Sequence, residues 1–455
     1  VKLLIARDIE IGKKLIAGSE DEVEDSRSWE TRDRNSSLRN ACERGHIEVV
    51  KLLISDEFDV KSELYKEEAL CAACESGNIE IVRLLIARDD VDINGRGWNQ
   101  NTPFQVACAH NQIEIMQLLL SRDDVDINAA VAGNDADSGS DSEDDEPLTP
   151  LVFALSRKKF DVVELLLSRD DVGVNGKNYR NETALHFACE ERNVEMVKQL
   201  LSRGANVNKK ANGYQSTALH IAVHNKDFEM AKLLLDRDDI DVNVTNYDGK
   251  SPLHIAIESN DFEMAKLLLD RDGIDVNATN YDGQTALHVA LFRDLEIVKL
   301  LLVRDDIDVN KEDENGGTAF CYACDNQNFE LLKELLSRED VTVNQKSLEY
   351  GYTDKPAYIH VLENLEIMEI LLARGISDIN VMHPRKGSML HNACKEGNID
   401  FVKMLISRDD INFRMKNPIT QRSEYTKKEG GCTALALACQ EGNIELAKLL
   451  ISKYD

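Results

Sequence analysis

The chain has 455 residues, with 54 Lys and Arg against 83 Asp and Glu and a formal net charge of -29 at pH 7. That charge repels phosphate backbones and anionic lipid surfaces, so nucleic acid is not an expected partner, and no apolar run approaches the roughly 18 to 20 residues needed to cross a bilayer. Ten Cys without a small secreted framework point to reduced thiols and a cytoplasmic setting, with the nucleus open.

In chain order, residues 1–35 hold a partial unit and an acidic linker, since Val1 to Asp8 matches Val82 to Asp89, a second helix without its partner. The opening inside an element, and the stop at Asp455 before a further loop, lead us to expect a piece of a longer array. Residues 36–128 carry three units starting near Ser36, Glu68 and Thr102. An acidic insert, 129–148, contains only Ala136 as an apolar residue between Asn134 and Glu146, and disorder is expected there. Ser138, Ser140 and Ser142 each have an acidic residue three positions on, which makes them candidate kinase sites; a solvated loop is the alternative.

Residues 149–344 carry six units from Thr149, Thr183, Thr217, Ser251, Thr285 and Thr318, and from Thr183 to Thr285 a T/S-A/P-L-H opening recurs every 34 residues. The unit at 345–380, near Lys355, lacks the Thr and places His360 where others have Ala, so its packing is expected to be the poorest. A further unit, 381–412, opens near Ser388; a basic insert, 413–431, holds Arg414, Lys416, Arg422, Lys427 and Lys428; a last unit, 432–455, opens near Thr433.

The unit at Thr217 shows the grammar. Thr217 suits a helix N-cap, and Pro103, Pro150 and Pro252 stand at the following position in other units, where the helix N–H is unpaired in any case. Leu219, Ile221 and Ala222 form one apolar face, and Phe228, Met230, Ala231, Leu233, Leu234 and Leu235 a second at helical spacing. Ile240 to Asn243 alternates apolar and polar, and Asn246 to Gly249 is a turn cluster, which predicts an extended finger returning to the next Thr or Ser. A module this small cannot bury its own apolar face and must stack on its neighbours.

These openings, the L-L-L second helices and the D-V-N-x-x-D-x-x-G fingers resemble the ankyrin repeat. The resemblance spans almost the whole chain and implies an all-α repeat fold: an ankyrin solenoid of about twelve helix-turn-helix units with finger hairpins, stacked in a curved array. Where the family usually has Gly-Ala, as at Gly204 and Ala205, most units here read Arg-Asp-Asp, so those helices must end by another geometry. The resemblance also implies a non-enzymatic scaffold or adaptor, acting as a monomer, that binds a protein along its concave finger and inner-helix surface. The alternative is the recognition arm of a larger protein with a ubiquitin-ligase, kinase or membrane-channel domain outside this sequence.

Local motifs dissolve in the register. Cys71 with Cys74 and Cys321 with Cys324 suggest zinc or redox pairs, yet Cys42, Cys74, Cys108, Cys189, Cys324, Cys394 and Cys439 all lie six residues past the opening Thr equivalent, a buried position. His186, His220, His254, His288 and His391 belong to the opening itself. Asp90 to Gly95 imitates half a calcium loop but ends on Asn101 in place of the bidentate Glu. No catalytic, cofactor-binding or metal-binding residue is assigned.

Two patterns survive. Trp98, Tyr179, Tyr247 and Tyr281 stand four residues before the Thr equivalent, at the fingertip, with Tyr214 one place later; such rings suit protein-binding hot spots, or else pack finger against finger. Seven residues past the Thr equivalent stand Glu43, Glu75, Glu190, Glu258 and Asp325, interrupted by Phe292 among others. An acidic, aromatic-edged groove favours a basic peptide or domain; a solvated helix face is the plain alternative.

Overall fold

The computed structural model describes residues 37–54, 66–97, 99–130, 148–348, 355–384, 387–417 and 431–453. Among these residues the fold is all-α: 23 short α-helices and one 3-10 helix, with isolated bridges in place of strands. The chain divides into two compact units, Val1–Tyr179 and Arg180–Asp455.

Most repeats open as the capping chemistry predicts, Thr149 being an exception whose buried hydroxyl makes no cap bond. Thr102, Thr183, Thr217, Ser251, Thr285 and Ser388 all form capping boxes, with Pro103 and Pro252 at the first helical position. The first helix is short, as in Ala218–His224, and a tight turn leads to a second, such as Phe228–Leu235, against which it packs. Asp227 caps that second helix by accepting from the Met230 N–H at 3.0 Å. In most repeats the turn between them takes a left-handed residue. Gly397 supplies it without strain at φ 75, whereas Lys226 and Asn260 adopt φ 54 and 52 with a Cβ present.

Stacking supplies the core. In the second unit, first helices contact first helices of the next repeat (Ala184–Glu190 on Ala218–His224, and that on Pro252–Glu258), and second helices do likewise. Leu219, Ala222, Met230, Ala231 and Leu234 are fully buried, so each repeat completes its neighbours' apolar faces.

The fingers are minimal hairpins, turns closed by single antiparallel bridges such as Thr279 with Thr285, because each ascending leg meets its descending leg for only about one ladder step. One expectation needs correcting. The unit at 345–380 does lose its first α-helix, replaced by the 3-10 helix Ala357–Val361, with Pro356 at the N-cap. Yet every residue of that turn is buried, so it is not poorly packed. Tyr358 fills the space, and its hydroxyl donates to the Asp378 carbonyl and accepts from the Asp378 N–H, both at 3.1 Å.

Candidate functional site

The fingers are built from the helix end upward. In most repeats the second helix ends in the right-handed region at Asp236, Val303 or Ser337, and an arginine takes over the sealing. Arg304 grips Asp306 through two hydrogen bonds of 2.8 Å and donates to the Leu269 carbonyl, the orphaned helix end of the preceding repeat, at 2.8 Å. Arg338 does the same with Asp340 and the Leu302 carbonyl. In the first unit Arg88 grips Asp90 and reaches the Ile54 carbonyl. These hydrogen bonds hold the Asp306 carboxyl below its ordinary range.

Some repeats break the rule, with Gly204, Gly273 or Gly375 in the loop in place of an Asp. Gly273 stands where its neighbours have the second Asp, with φ 79, and the Nε of Arg271 is buried without a hydrogen-bond partner.

The next rung is asparagine. Asn243 donates from its side chain to the Gly273 carbonyl at 2.7 Å and accepts from the Asp275 N–H at 2.8 Å, bridging one finger base to the next. Asn208, Asn277 and Asn310 repeat this in the second unit, and Asn94 in the first.

At the tips of the second unit, backbone bonds join successive fingers. The Tyr247 N–H donates to the Tyr214 carbonyl at 2.8 Å, Tyr281 to Asp248 at 3.1 Å, and Glu314 to Asp282 at 3.2 Å. Gly249 is required here: a Cβ would lie 2.7 Å from the Tyr281 backbone nitrogen and from its ring.

On this rigid backbone Tyr214, Tyr247 and Tyr281 project into solvent, 81 %, 61 % and 71 % exposed. Tyr179, in the first unit, is also exposed. Trp98 and the serines Ser138, Ser140 and Ser142 lie outside the described residues.

The inner-helix row is less uniform than its sequence suggests. Glu258 is paired with Lys250 at 2.8 Å. Asp325 accepts from the Ser347 hydroxyl and the Leu348 N–H, both at 3.1 Å, and lies 3.5 Å from His360. Glu190 is exposed. Phe292 is exposed and meets Tyr322 edge to face at 5.9 Å, beside an open cavity of about 790 Å³ lined by Glu312, Tyr322, Gln345 and Lys346 among others. The Tyr322 hydroxyl donates to Asp313 at 2.5 Å, which fixes the ring and raises the phenol to about 12, burial being the larger cause.

The tempting motifs are occupied elsewhere. His220 accepts at Nδ1 from the Thr217 N–H at 3.2 Å and meets the Lys250 carbonyl through Nε2 at 3.1 Å, so the ring is neutral and ties one repeat to the next finger. Burial depresses its pKa to about 4, and His186, His254, His288 and His391 are lowered for the same reason. Gln105 performs the same task in its repeat, accepting from the Thr102 N–H and donating to the Ala129 carbonyl. Cys71 and Cys321 occupy that position too, with weak bonds to the Asn101 and Lys346 carbonyls. Burial pushes the Cys42, Cys108, Cys189 and Cys394 thiols up to about 12. Cys439 departs from the pattern and is exposed: the helix of a following repeat covers the other cysteines of its register, and among the described residues none follows 431–453. Asp90, the first acid of the apparent calcium loop, is held down chiefly by its bonds to Arg88 and Lys66.

Sequence reasoning missed the arginine clamps and the asparagine bridges. Their signal is present in the letters: Arg and Asp two apart, then Asn at the repeat period.

A family profile described as ankyrin repeats (three copies) matches residues 3–96, 38–131, 128–211, 209–280, 275–347 and 358–455. A solved structure of EF0377, an ankyrin repeat protein, is similar at 26 % identity and a TM-score of 0.37, covering 41 % of this chain and 96 % of that one. No curated protein matches the chain.

Proposed function

The chain belongs to the ankyrin-repeat family, whose repeats generally act as protein–protein interaction modules, and from that premise we propose that it is a non-enzymatic scaffold that binds a protein partner along its fingers and first helices. The observation that carries this reading is the trio Tyr214, Tyr247 and Tyr281: large amphipathic rings, exposed, on tips already fastened by backbone hydrogen bonds. A partner that covers them gains apolar burial with little ordering cost, and such rings are worth on the order of 2 kcal/mol or more each at an interface. The net charge of -29 favours a basic segment or domain on the partner.

The reading includes a monomer in the cytoplasm or nucleus; ten cysteines without a small secreted framework favour that compartment. Its test is affinity capture from source cells with the intact chain and with the double variant Tyr247→Ala and Tyr281→Ala. These side chains are exposed, so the variant is expected to keep its helical circular dichroism and melting transition while losing most of the captured partner. Undiminished capture would remove the fingertips from the function.

A further inference from the structure

We propose that the fingertip row of the second unit is pitched to take a polyproline-II segment of the partner that carries a basic residue at every third position. This rests on the finger-surface reading above and names the conformation and chemistry of what the surface binds.

The argument is one of spacing. Each finger presents two chain segments to the row: Asn280 pairs with Gln284 inside a finger, and Tyr281 pairs with Asp248 of the finger before. Hydrogen-bonded segments lie about 4.8 Å apart, so equivalent positions on successive tips repeat at about 9.5 Å. A polyproline-II helix turns once in three residues and rises about 9.3 Å in doing so. Its successive turns therefore meet successive fingers, and the mismatch over two steps stays below about 1 Å.

The alternatives fit worse. A β-strand covers about 10 Å in three residues, but its side chains alternate, so every third residue turns away from the row. An α-helix needs about seven residues, advances about 10.5 Å, and slips by about 1 Å at each finger.

The chemistry repeats with the spacing. Tyr247 is followed by Asp248 and Tyr281 by Asp282, all four exposed, and the next finger presents Glu314 at the tyrosine position. Gly249 lies against the Tyr281 ring and keeps the floor between the two rings low. Exposed aromatic rings in a row accept prolyl rings, which arrive with little conformational entropy left to lose. The adjoining carboxylates suit an arginine, whose guanidinium can also lie over a tyrosine face. Tyr214, whose carbonyl accepts from Tyr247, extends the aromatic end of the row.

The test is fluorescence anisotropy of the full chain with three labelled peptides of equal charge: Arg-Pro-Pro triplets, the same arginines spaced every fourth residue by prolines, and Arg-Gly-Gly triplets. The Arg-Pro-Pro peptide is expected to bind at least about fivefold more tightly than either of the others, and the Tyr247→Ala and Tyr281→Ala double variant to weaken it about tenfold. Asp248→Asn with Asp282→Asn is expected to weaken it as well, without affecting folding. Equal binding of all three peptides overturns the pitch inference; if the tyrosine variant still weakens them equally, the finger-surface reading stands without it. Binding of the triplet peptide that is indifferent to both double variants also overturns the inference, and the surface reading is then judged by partner capture alone.

Discussion

His220 shows how one side chain can be tied to two repeats and still leave no chemistry free. Its Nδ1 accepts from Thr217 and its Nε2 meets the Lys250 carbonyl, so the fold requires the neutral ring. With the pKa at about 4 in the fold against 6.5 for the free side chain, the contribution is complete above pH 6.5 and is lost as the pH falls through about 4. Four further histidines share the position and the direction, so acid titration followed by circular dichroism is expected to show unfolding across that window. His220→Gln, which copies Gln105, is expected to change stability at pH 7 by less than about 1 kcal/mol and to reduce the loss in acid. A second prediction concerns Asn243, whose two bonds cross a repeat boundary. Asn243→Ala is expected to cost about 1 to 3 kcal/mol in urea unfolding, with the m-value unchanged.

At the scale of the element, the capping residues and apolar faces were legible because they act within a few residues of each other. Thr217 and Leu234 announce their roles in any window that contains them. The arginine clamp was not, because Arg304 bonds Leu269 in the preceding repeat and only the fold makes that contact visible. The cluster of Asp325, Ser347 and His360 was hidden for the same reason, and it shows why the unit at 345–380 stays well packed without an α-helix. The clamp carries its own comparison. Arg304→Ala removes a complete set of hydrogen bonds, whereas Arg271 has a buried Nε with no partner to lose. The unfolding free energy from urea titration is expected to fall by about 1 kcal/mol or more for Arg304→Ala and by clearly less for Arg271→Ala.

Across the whole molecule, stability is a sum of repeats and the interfaces between them, so function is confined to surface that stacking leaves uncovered. The period of 34 residues made that architecture readable from sequence. The partner surface was readable only in part: the tyrosines stood out by register, but the pairing of Glu258 with Lys250 and the occupation of Asp325 emerged from side-chain geometry. Leu234, fully buried in the stack, tests the additive picture: Leu234→Ala is expected to cost about 2 to 5 kcal/mol. The most direct measurement of the central claim is amide hydrogen exchange on the intact chain with and without its captured partner. Slowed exchange is expected at the fingertip amides around Tyr214, Tyr247 and Tyr281 and along the first helices beside them. Protection confined to the second helices, with the tips exchanging as fast as in the free chain, would contradict it.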